Sequence, residues 1–487
     1  MTPDETHWFF HLLYLAGFAL SLGLSARIIM LKRPASVTFA WLMVVWVLPL
    51  VGVLIYLLIG ENRMGESRAR RARAIHGQYQ HWLSDLRQRS EVSRRQVLPT
   101  LEPIERQACT VVGMPVFGGN RMQLLDNYQA IFQALVNDIE GARRSCFLEF
   151  YIWHQGGLAD QVAEALMGAT ARGVSCRVLL DAVGSKPFLR SSLAAKMRAA
   201  GVKVIAVLPV SATRMLFRRA DLRNHRKIVV IDSRIAYTGS QNLVDPRCFK
   251  QDEGVGEWID IMVRVMGPVV DEFQGVFIED WQLETGRVEE ILSERLNVPS
   301  SPGVDGMSLQ VIPSGPVLRY MAIHQLLTTT LFAARHELVI TTPYFVPDDS
   351  LKMALLSAAQ RGVRVTIIVP DRVDSHLVRY ASRSLFDELL AAGITIAKFT
   401  GGLLHTKTIT VDDSFSIVGS VNLDMRSLWL NMEISLFVYD APFTCELKAL
   451  NARYLASSEL LEQESWRRRS LANRLVENLA RLVGPLL

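Results

Sequence analysis

The chain holds few of the residues that build closed metal sites or disulfide frameworks. It has five cysteines in 487 residues. They are scattered at Cys109, Cys146, Cys176, Cys248 and Cys445, with no C-x-x-C spacing. An odd, dispersed set fits reduced thiols in a cytosolic domain and argues against a zinc site or a disulfide scaffold. A cleavable leader is not expected either. The start is acidic (Asp4, Glu5), and no small-residue cleavage site precedes the second apolar segment. Charge of one sign is not in large excess: 53 Lys and Arg against 48 Asp and Glu leave +5. That balance is modest, but arginine concentrates after the apolar front of the chain and at the C-terminus, where such patches are expected either to attract an anionic lipid surface or to be a solvated face.

What is abundant is apolar surface, at 49% of residues, and the excess lies at the front. Residues 8–26 and 38–60 are two almost uncharged stretches, separated by Arg27, Lys32, Arg33 and Pro34. Each is long enough to span a hydrocarbon layer of about 30 Å, so two N-terminal transmembrane helices are expected. Arg63, Arg68, Arg70, Arg71 and Arg73 follow the second stretch. By the positive-inside rule they place the remainder of the chain in the cytoplasm, although the short loop between the stretches is itself basic. Residues 63–106 read as a basic linker, with Pro99 and Pro103 near its end.

The most informative stretch is Asn224-His225-Arg226-Lys227, which runs through apolar β-branched residues to Asp232 and then to Gly239-Ser240-Gln241-Asn242. It returns as His405-Thr406-Lys407 through Asp412, then Gly419-Ser420-Val421-Asn422. Both copies read H-x-K-x4-D-x6-G-S-x-N. One copy is weak evidence; two with matched spacing are strong. Residues i and i+2 of a strand share a face, so each histidine points with its lysine. The aspartates stand at an odd offset, so they are expected to brace the strand end. Imidazole beside ammonium suits phosphoryl chemistry: one attacks phosphorus or moves a proton, the other meets charge on the non-bridging oxygens. Ser240, Asn242, Ser420 and Asn422 can donate hydrogen bonds to those oxygens. Each imidazole also needs an acceptor on its second nitrogen. Asp260 downstream of the first motif and Glu433 downstream of the second are the candidates.

The repeat extends beyond the motifs. Helical periodicity over 158–172, a strand over 175–181, a helix over 189–200 and a strand over 202–208 form a βαβ pattern, after a strand at 146–153. The order returns as helix 320–334, strand 338–344, helix 350–361, strand 363–369, helix 385–392 and a strand ending at 399. Residues 286–306 read as a linker. The fold expected is α/β: two tandem α/β/α sandwich units with pseudo-two-fold symmetry and both histidines at one interface. Tyr151 and Tyr344 occupy similar points and either line the pocket or fill the core. Arg426 follows the second motif and is a candidate for facing a phosphate. The loop 214–219 has apolar residues flanked by arginine and suits either a headgroup region or ordinary packing. From Glu464 on, basic residues precede leucines at helical spacing, an amphipathic helix for a membrane surface or for the protein's own.

The paired motifs resemble the two HKD signatures of the phospholipase D superfamily. With the context Leu222-Arg223-Asn224-His225, Tyr237-Thr238-Gly239-Ser240 and Val244-Asp245-Pro246-Arg247, plus the two apolar segments, nearly the whole chain is similar to bacterial cardiolipin synthases. That resemblance implies a membrane anchor (1–62), the basic linker (63–106), phospholipase D-like domains at 107–285 and 307–445, and a helical tail (446–487). It implies His225, Lys227, Asp232, His405, Lys407 and Asp412 as the catalytic motif. It also implies a metal-free, cofactor-free transfer in which one histidine becomes phosphatidyl-histidine and the other protonates the leaving alcohol. Two phosphatidylglycerol molecules would give cardiolipin and glycerol at a bacterial inner membrane, in a multi-pass protein whose catalytic domain faces the cytoplasm. No nucleic-acid partner is expected, since a soluble nuclease has no use for apolar spans. A hydrolase releasing phosphatidic acid shares the first half-reaction and so the same motifs. A non-catalytic lipid-binding scaffold would be expected to have lost a motif residue.

Overall fold

The computed structural model describes residues 3–31, 35–61, 66–93, 97–209, 219, 221–287, 306–316 and 321–482. Most of the 214–219 loop, most of the 286–306 linker and Arg63 lie outside them. The chain divides into two compact units, residues 1–69 with 210–222 and residues 70–209 with 223–487.

In the first unit, residues 8–26 fall within one helix, Pro3–Met30. The 38–60 stretch does not form a single helix. It divides into Ala35–Val47, Pro49–Ile55 and a π-helical turn Tyr56–Gly60. Leu48 leaves helical backbone (φ −128°, ψ 72°), because a proline ring disfavours αR in the residue before it and supplies no amide. Among the described residues no helix is long and apolar enough to cross a membrane, which departs from the expectation of two spanning helices. Buried polar groups tie these helices together. The Ser21 hydroxyl donates to the Val45 carbonyl (3.3 Å) and the Trp46 indole donates to Ser25 Oγ (2.9 Å). Gly52 permits the closest approach, for a Cβ there would lie 2.1 Å from the Val44 carbonyl oxygen.

The second unit is built on one continuous sheet of fifteen strands. The first half supplies β1 (Phe117–Leu125), β2 (Ser145–Phe150), β3 (Ser175–Asp181), β4 (Lys203–Val207), β5 (Ile228–Ile231), β6 (Ile235–Gly239) and β8 (Met262–Met266), with a short β7 (Trp258–Ile259) outside it. The second half supplies β9 (Met307–Ser314), β10 (Glu337–Thr341), β12 (Arg364–Pro370), β13 (Thr395–Phe399), β15 (Thr408–Val411), β16 (Phe415–Gly419) and β18 (Glu433–Tyr439). The short β11 (Phe345–Val346), β14 (Leu403–Leu404) and β17 (Leu423–Asp424) lie outside it, and β19 (Ser458–Leu460) extends one edge. The sheet order is β19-β13-β12-β10-β15-β16-β18-β9-β1-β8-β6-β5-β2-β3-β4. Read outward from the antiparallel β1–β9 junction, the two halves have the same order. This is the pseudo-two-fold arrangement the repeat implied.

Apolar alternation gives each half two buried faces. Cys146, Leu148 and Phe150 of β2 pack on one layer, with the helices Tyr128–Glu140, Leu158–Ala171 and Ser192–Ala199. Phe147, between them, points to the other layer and stacks on Phe277 of the buried helix Val270–Thr285 at 4.9 Å. Residues 66–93 do more than connect. They form a helix whose Trp82, Leu83 and Leu86 enter that second layer. A Cβ on Gly275 would strike the Trp82 ring at 2.0 Å. Nor does the second half stop at residue 445. Asp440 caps a helix Ala441–Ala456 that buries Leu447, Leu450 and Tyr454, so the covering tail begins later in the chain.

Candidate active site

The two motif segments enter the site as irregular backbone leading into β5 and β15, and each pairs with the opposite half. His225 N donates to the Met432 carbonyl (2.8 Å), and Met432 N donates to the Arg223 carbonyl (2.9 Å). His405 N donates to the Ile259 carbonyl (2.9 Å), where β14 runs parallel to β7. The residue after each of these partners is an acid. The acids are therefore exchanged: His225 Nδ1 lies 2.9 Å from Glu433 Oε2, and His405 Nδ1 lies 2.7 Å from Asp260 Oδ1. Chain order, with each acid downstream of its own motif, would have paired them within halves. The tertiary structure crosses them. A carboxylate only accepts, so Nδ1 carries the hydrogen in both imidazoles and Nε2 presents its lone pair.

Lys227 and Lys407 are buried beside these couples. Each donates from Nζ to the carbonyl of its own histidine, at 2.8 and 2.6 Å. Burial depresses both ammonium groups, Lys227 to about 8 and Lys407 to about 7, against the opposing pull of Glu433 and Asp260. Burial likewise lowers both imidazoles, His405 to about 4, with the carboxylates working against it. Burial also penalises the charged forms of Asp260 and Glu433, yet the histidines and lysines hold both below the ordinary carboxylate range. Each imidazole feels the lysine of the other half as well as its own, so the two couples share one electrostatic site. While both lysines are protonated and the histidines neutral, these two ammonium groups balance the two carboxylates.

The remaining candidates divide. Asn242 and Asn422 are buried. Asn242 Oδ1 accepts from Ile152 N (3.2 Å), which turns its NH2 away from that bond, and Asn422 Oδ1 has no hydrogen-bond partner. Ser240 and Ser420, expected at the phosphate, are instead engaged with the strands that carry the acids. Ser420 Oγ donates to Glu433 and accepts from Ile434 N (2.9 Å), and Ser240 Oγ accepts from Ile261 N (3.1 Å). The Ser420 hydroxyl is thus held by the carboxylate of Glu433, and that of Ser240 by the backbone next to Asp260.

Asp232 and Asp412 stand at the far end of their strands, away from the imidazoles. Asp232 accepts from the amides of Arg143, Arg144 and Ser145 at 2.7–2.9 Å, and Asp412 from those of Arg335, His336 and Glu337. Both have positive φ, 53° and 51°. They brace the entry to β2 and β10, as their odd offset predicted. The catalytic grouping implied by the motif does not extend to them. Asp232→Ala should therefore lower stability by about 2–4 kcal/mol, the worth of charge-assisted bonds to three amides. Turnover per folded molecule should change little. Denaturation midpoints and active-site-normalised rates check both halves of that statement.

Tyr151 packs its ring 5.0 Å from His225, and Trp258 packs 4.6 Å from His405. Tyr344 donates to Asp374 (2.6 Å) rather than facing an imidazole. Burial raises the pKa values of Tyr151 and Asp424, and Arg426 lies close enough to both to oppose that rise.

Sequence reasoning assigned no role to Arg226. It lies between His225 and Lys227 and so points to the opposite face, where it is buried. There Nε donates to the Glu433 carbonyl (3.1 Å), Nη2 to the Ser314 carbonyl (3.1 Å), and Nη1 pairs with Asp280. A charged residue between two inward-pointing residues of a buried segment demands a buried partner, and that signal was present in the sequence. Arg226 fastens the strand carrying Glu433 to the segment carrying His225.

Known proteins share this arrangement. Residues 135–281 and 327–453 match the family described as cardiolipin synthase, PLD-like domain, and residues 19–61 match the one described as phospholipase D-nuclease N-terminal. Cardiolipin synthase A of Yersinia pseudotuberculosis and of Yersinia pestis are each 47% identical over 465 residues, 96% of this chain and 96% of theirs. The fold is also that of a phosphatidylserine synthase from Haemophilus influenzae, with a TM-score of 0.58 at 16% identity, over 79% of this chain and 100% of that one. Two family matches on the two halves of the sheet, and near-half identity along almost the full length, agree with the paired His–Lys geometry. The chain belongs to the cardiolipin synthase family of phospholipase D-like proteins.

Proposed function

We propose that the protein transfers a phosphatidyl group from one phosphatidylglycerol to another, giving cardiolipin and glycerol. The observation that carries this reading is the exchanged pair of His–carboxylate couples, with two buried lysines between them. Nε2 of one histidine attacks phosphorus, and the bond to the headgroup glycerol breaks. The departing alkoxide takes a proton from Nε2 of the other histidine. The headgroup hydroxyl of a second phosphatidylglycerol then gives its proton back to that imidazole and attacks the phosphatidyl-histidine, freeing the nucleophile. We assign His225 as nucleophile and His405 as acid and base. Lys227, Lys407, Asn242 and Asn422 hold the non-bridging oxygens.

Charge balance explains how two depressed imidazoles perform both roles. Neutral imidazole is the form that attacks. A phosphodiester brings one negative charge into a neutral, buried site, and one proton on one histidine restores neutrality. The anion thus raises the pKa of the acid only when lipid is bound.

Membrane insertion of the N-terminal unit completes this reading. Leu15, Phe18, Leu20, Leu22 and Trp46 expose apolar surface there. The chain would then be an inner-membrane protein with the second unit on the cytoplasmic side, since arginines follow the apolar stretches.

The test is product analysis with vesicles of phosphatidylglycerol alone. Cardiolipin and glycerol in equal amounts support the transfer; phosphatidic acid with glycerol makes the protein a hydrolase. A pH profile adds a second check. The phosphate-binding form of each lysine is the ammonium, which is lost as pH rises through its pKa. For the free enzyme kcat/KM should therefore fall between about pH 7 and 8, following Lys407 and Lys227. A profile that stays flat to strongly alkaline pH contradicts this.

A further inference from the structure

The last described helix, Leu471–Leu482, turns its leucines away from the protein. It packs on the helix His376–Arg383 through Ala480, against Ala381 and Val378. Its Glu477 is buried with Arg383 (2.9 Å). Leu471, Leu475, Leu479 and Leu482 are 80, 61, 54 and 69% exposed. At about 100° per residue these four fall within an arc of about 80°, roughly opposite the packed Glu477–Ala480 side. Burial does not account for them. Arg474 and Arg481 lie exposed between the leucine ridge and the packed side, and the exposed Arg467 and Arg468 precede the helix. The helix it packs against exposes Leu377 and Tyr380 as well. That helix begins two residues after Asp374, the carboxylate that holds Tyr344 and meets Lys250. It follows β12 at the end where β10 and β15 place Thr341 opposite Thr408, next to Lys407.

We infer that the Leu471–Leu482 helix is an interfacial docking element that lies in the headgroup layer of an anionic bilayer. An exposed leucine ridge flanked by arginine fits acyl chains below and lipid phosphates beside it. Flanking cations also disfavour a second copy of the same ridge, since the arginines of the two would repel. Because the neighbouring helix emerges at the active-site end of the sheet, docking there brings the site to the surface from which lipid enters. The inference rests on the reading that the substrates are bilayer lipids, and its test needs no turnover.

The full chain with Cys248→Ser and Cys445→Ser, carrying Leu475→Cys and an environment-sensitive fluorophore, is reconstituted in vesicles. These are phosphatidylcholine alone or phosphatidylcholine with phosphatidylglycerol. Arg234→Cys, in the exposed turn beside Asp232, is the control position. The label at 475 should shift to the blue with phosphatidylglycerol and be quenched by chain-brominated lipid, while the label at 234 should do neither. A label at 475 that stays water-like with phosphatidylglycerol overturns the inference. So does a blue shift that depends on protein concentration and not on lipid, which assigns the ridge to a second copy. As an independent measure, Leu471→Gln, Leu475→Gln and Leu479→Gln together should slow turnover on vesicles on the order of tenfold. The rate in detergent-dispersed lipid should hold. Equal rates for parent and variant on vesicles overturn it. If no phosphatidyl transfer is found at all, the label still reports, so failure of the function and failure of the docking helix are told apart.

Discussion

Glu433→Gln is expected to lower kcat by about 10²–10⁴-fold while acting on His225, the histidine of the other half. Glu433 Oε2 fixes the Nδ1 hydrogen of His225 and is itself held by Ser420. An amide in its place can donate as well as accept, so the imidazole loses its one enforced tautomer. Lipid binding below about pH 7 should change far less, since both lysines remain, although Lys227 loses the pull of Glu433 and its ammonium form should be lost at lower pH than in the parent. Asp260→Asn should do the same to His405. The discriminating readout is the nitrogen shifts of the two imidazoles. Glu433→Gln should disturb His225 and leave His405, and Asp260→Asn the reverse. The opposite assignment would mean that each half orients its own histidine. The exchange has a further consequence: neither half holds a complete His–acid couple without the other.

Single substitution of either histidine should abolish steady-state turnover, with losses of about 10⁴-fold or more, because nucleophile and acid act as one unit. The two variants should nevertheless differ. His405→Ala keeps the nucleophile, so a lipid whose leaving group needs no protonation should still load His225 and the adduct should accumulate. His225→Ala should load nothing with either substrate. Mass analysis after rapid quenching reads the adduct directly. Adduct on His405 in the His225→Ala protein would reverse the roles. The near symmetry of the site makes this the measurement that assigns them.

Each half of the fold was legible because its signals are local. The apolar runs of β2, β3, β10 and β12, glycines at 173, 201, 362 and 393 after the intervening helices, and the second copy of the order together define an α/β repeat. The spacing H-x-K put each lysine with its histidine, and the odd offset sent Asp232 and Asp412 elsewhere, since period two is a property of the strand itself. Arg226 obeys the same rule: the residue between two inward side chains is forced to the other face. The second apolar stretch shows composition outrunning geometry. Its hydropathy is continuous, but Pro49 interrupts the backbone, and hydropathy does not register a missing amide.

The sequence by itself determined the two His–Lys motifs, the pairing within each and the duplication that supplies two of everything. Only the tertiary structure decided which acid serves which histidine, because that depends on Met432 meeting His225 and Ile259 meeting His405 across the halves. It also decided that the hydroxyls of Ser240 and Ser420 bond to the strands that carry the acids, and that the last described helix leaves its leucines uncovered. The physical reason is common to all three. Periodicity tells which side of an element a residue takes, whereas the identity of what faces that side is set by contacts between residues far apart in the chain.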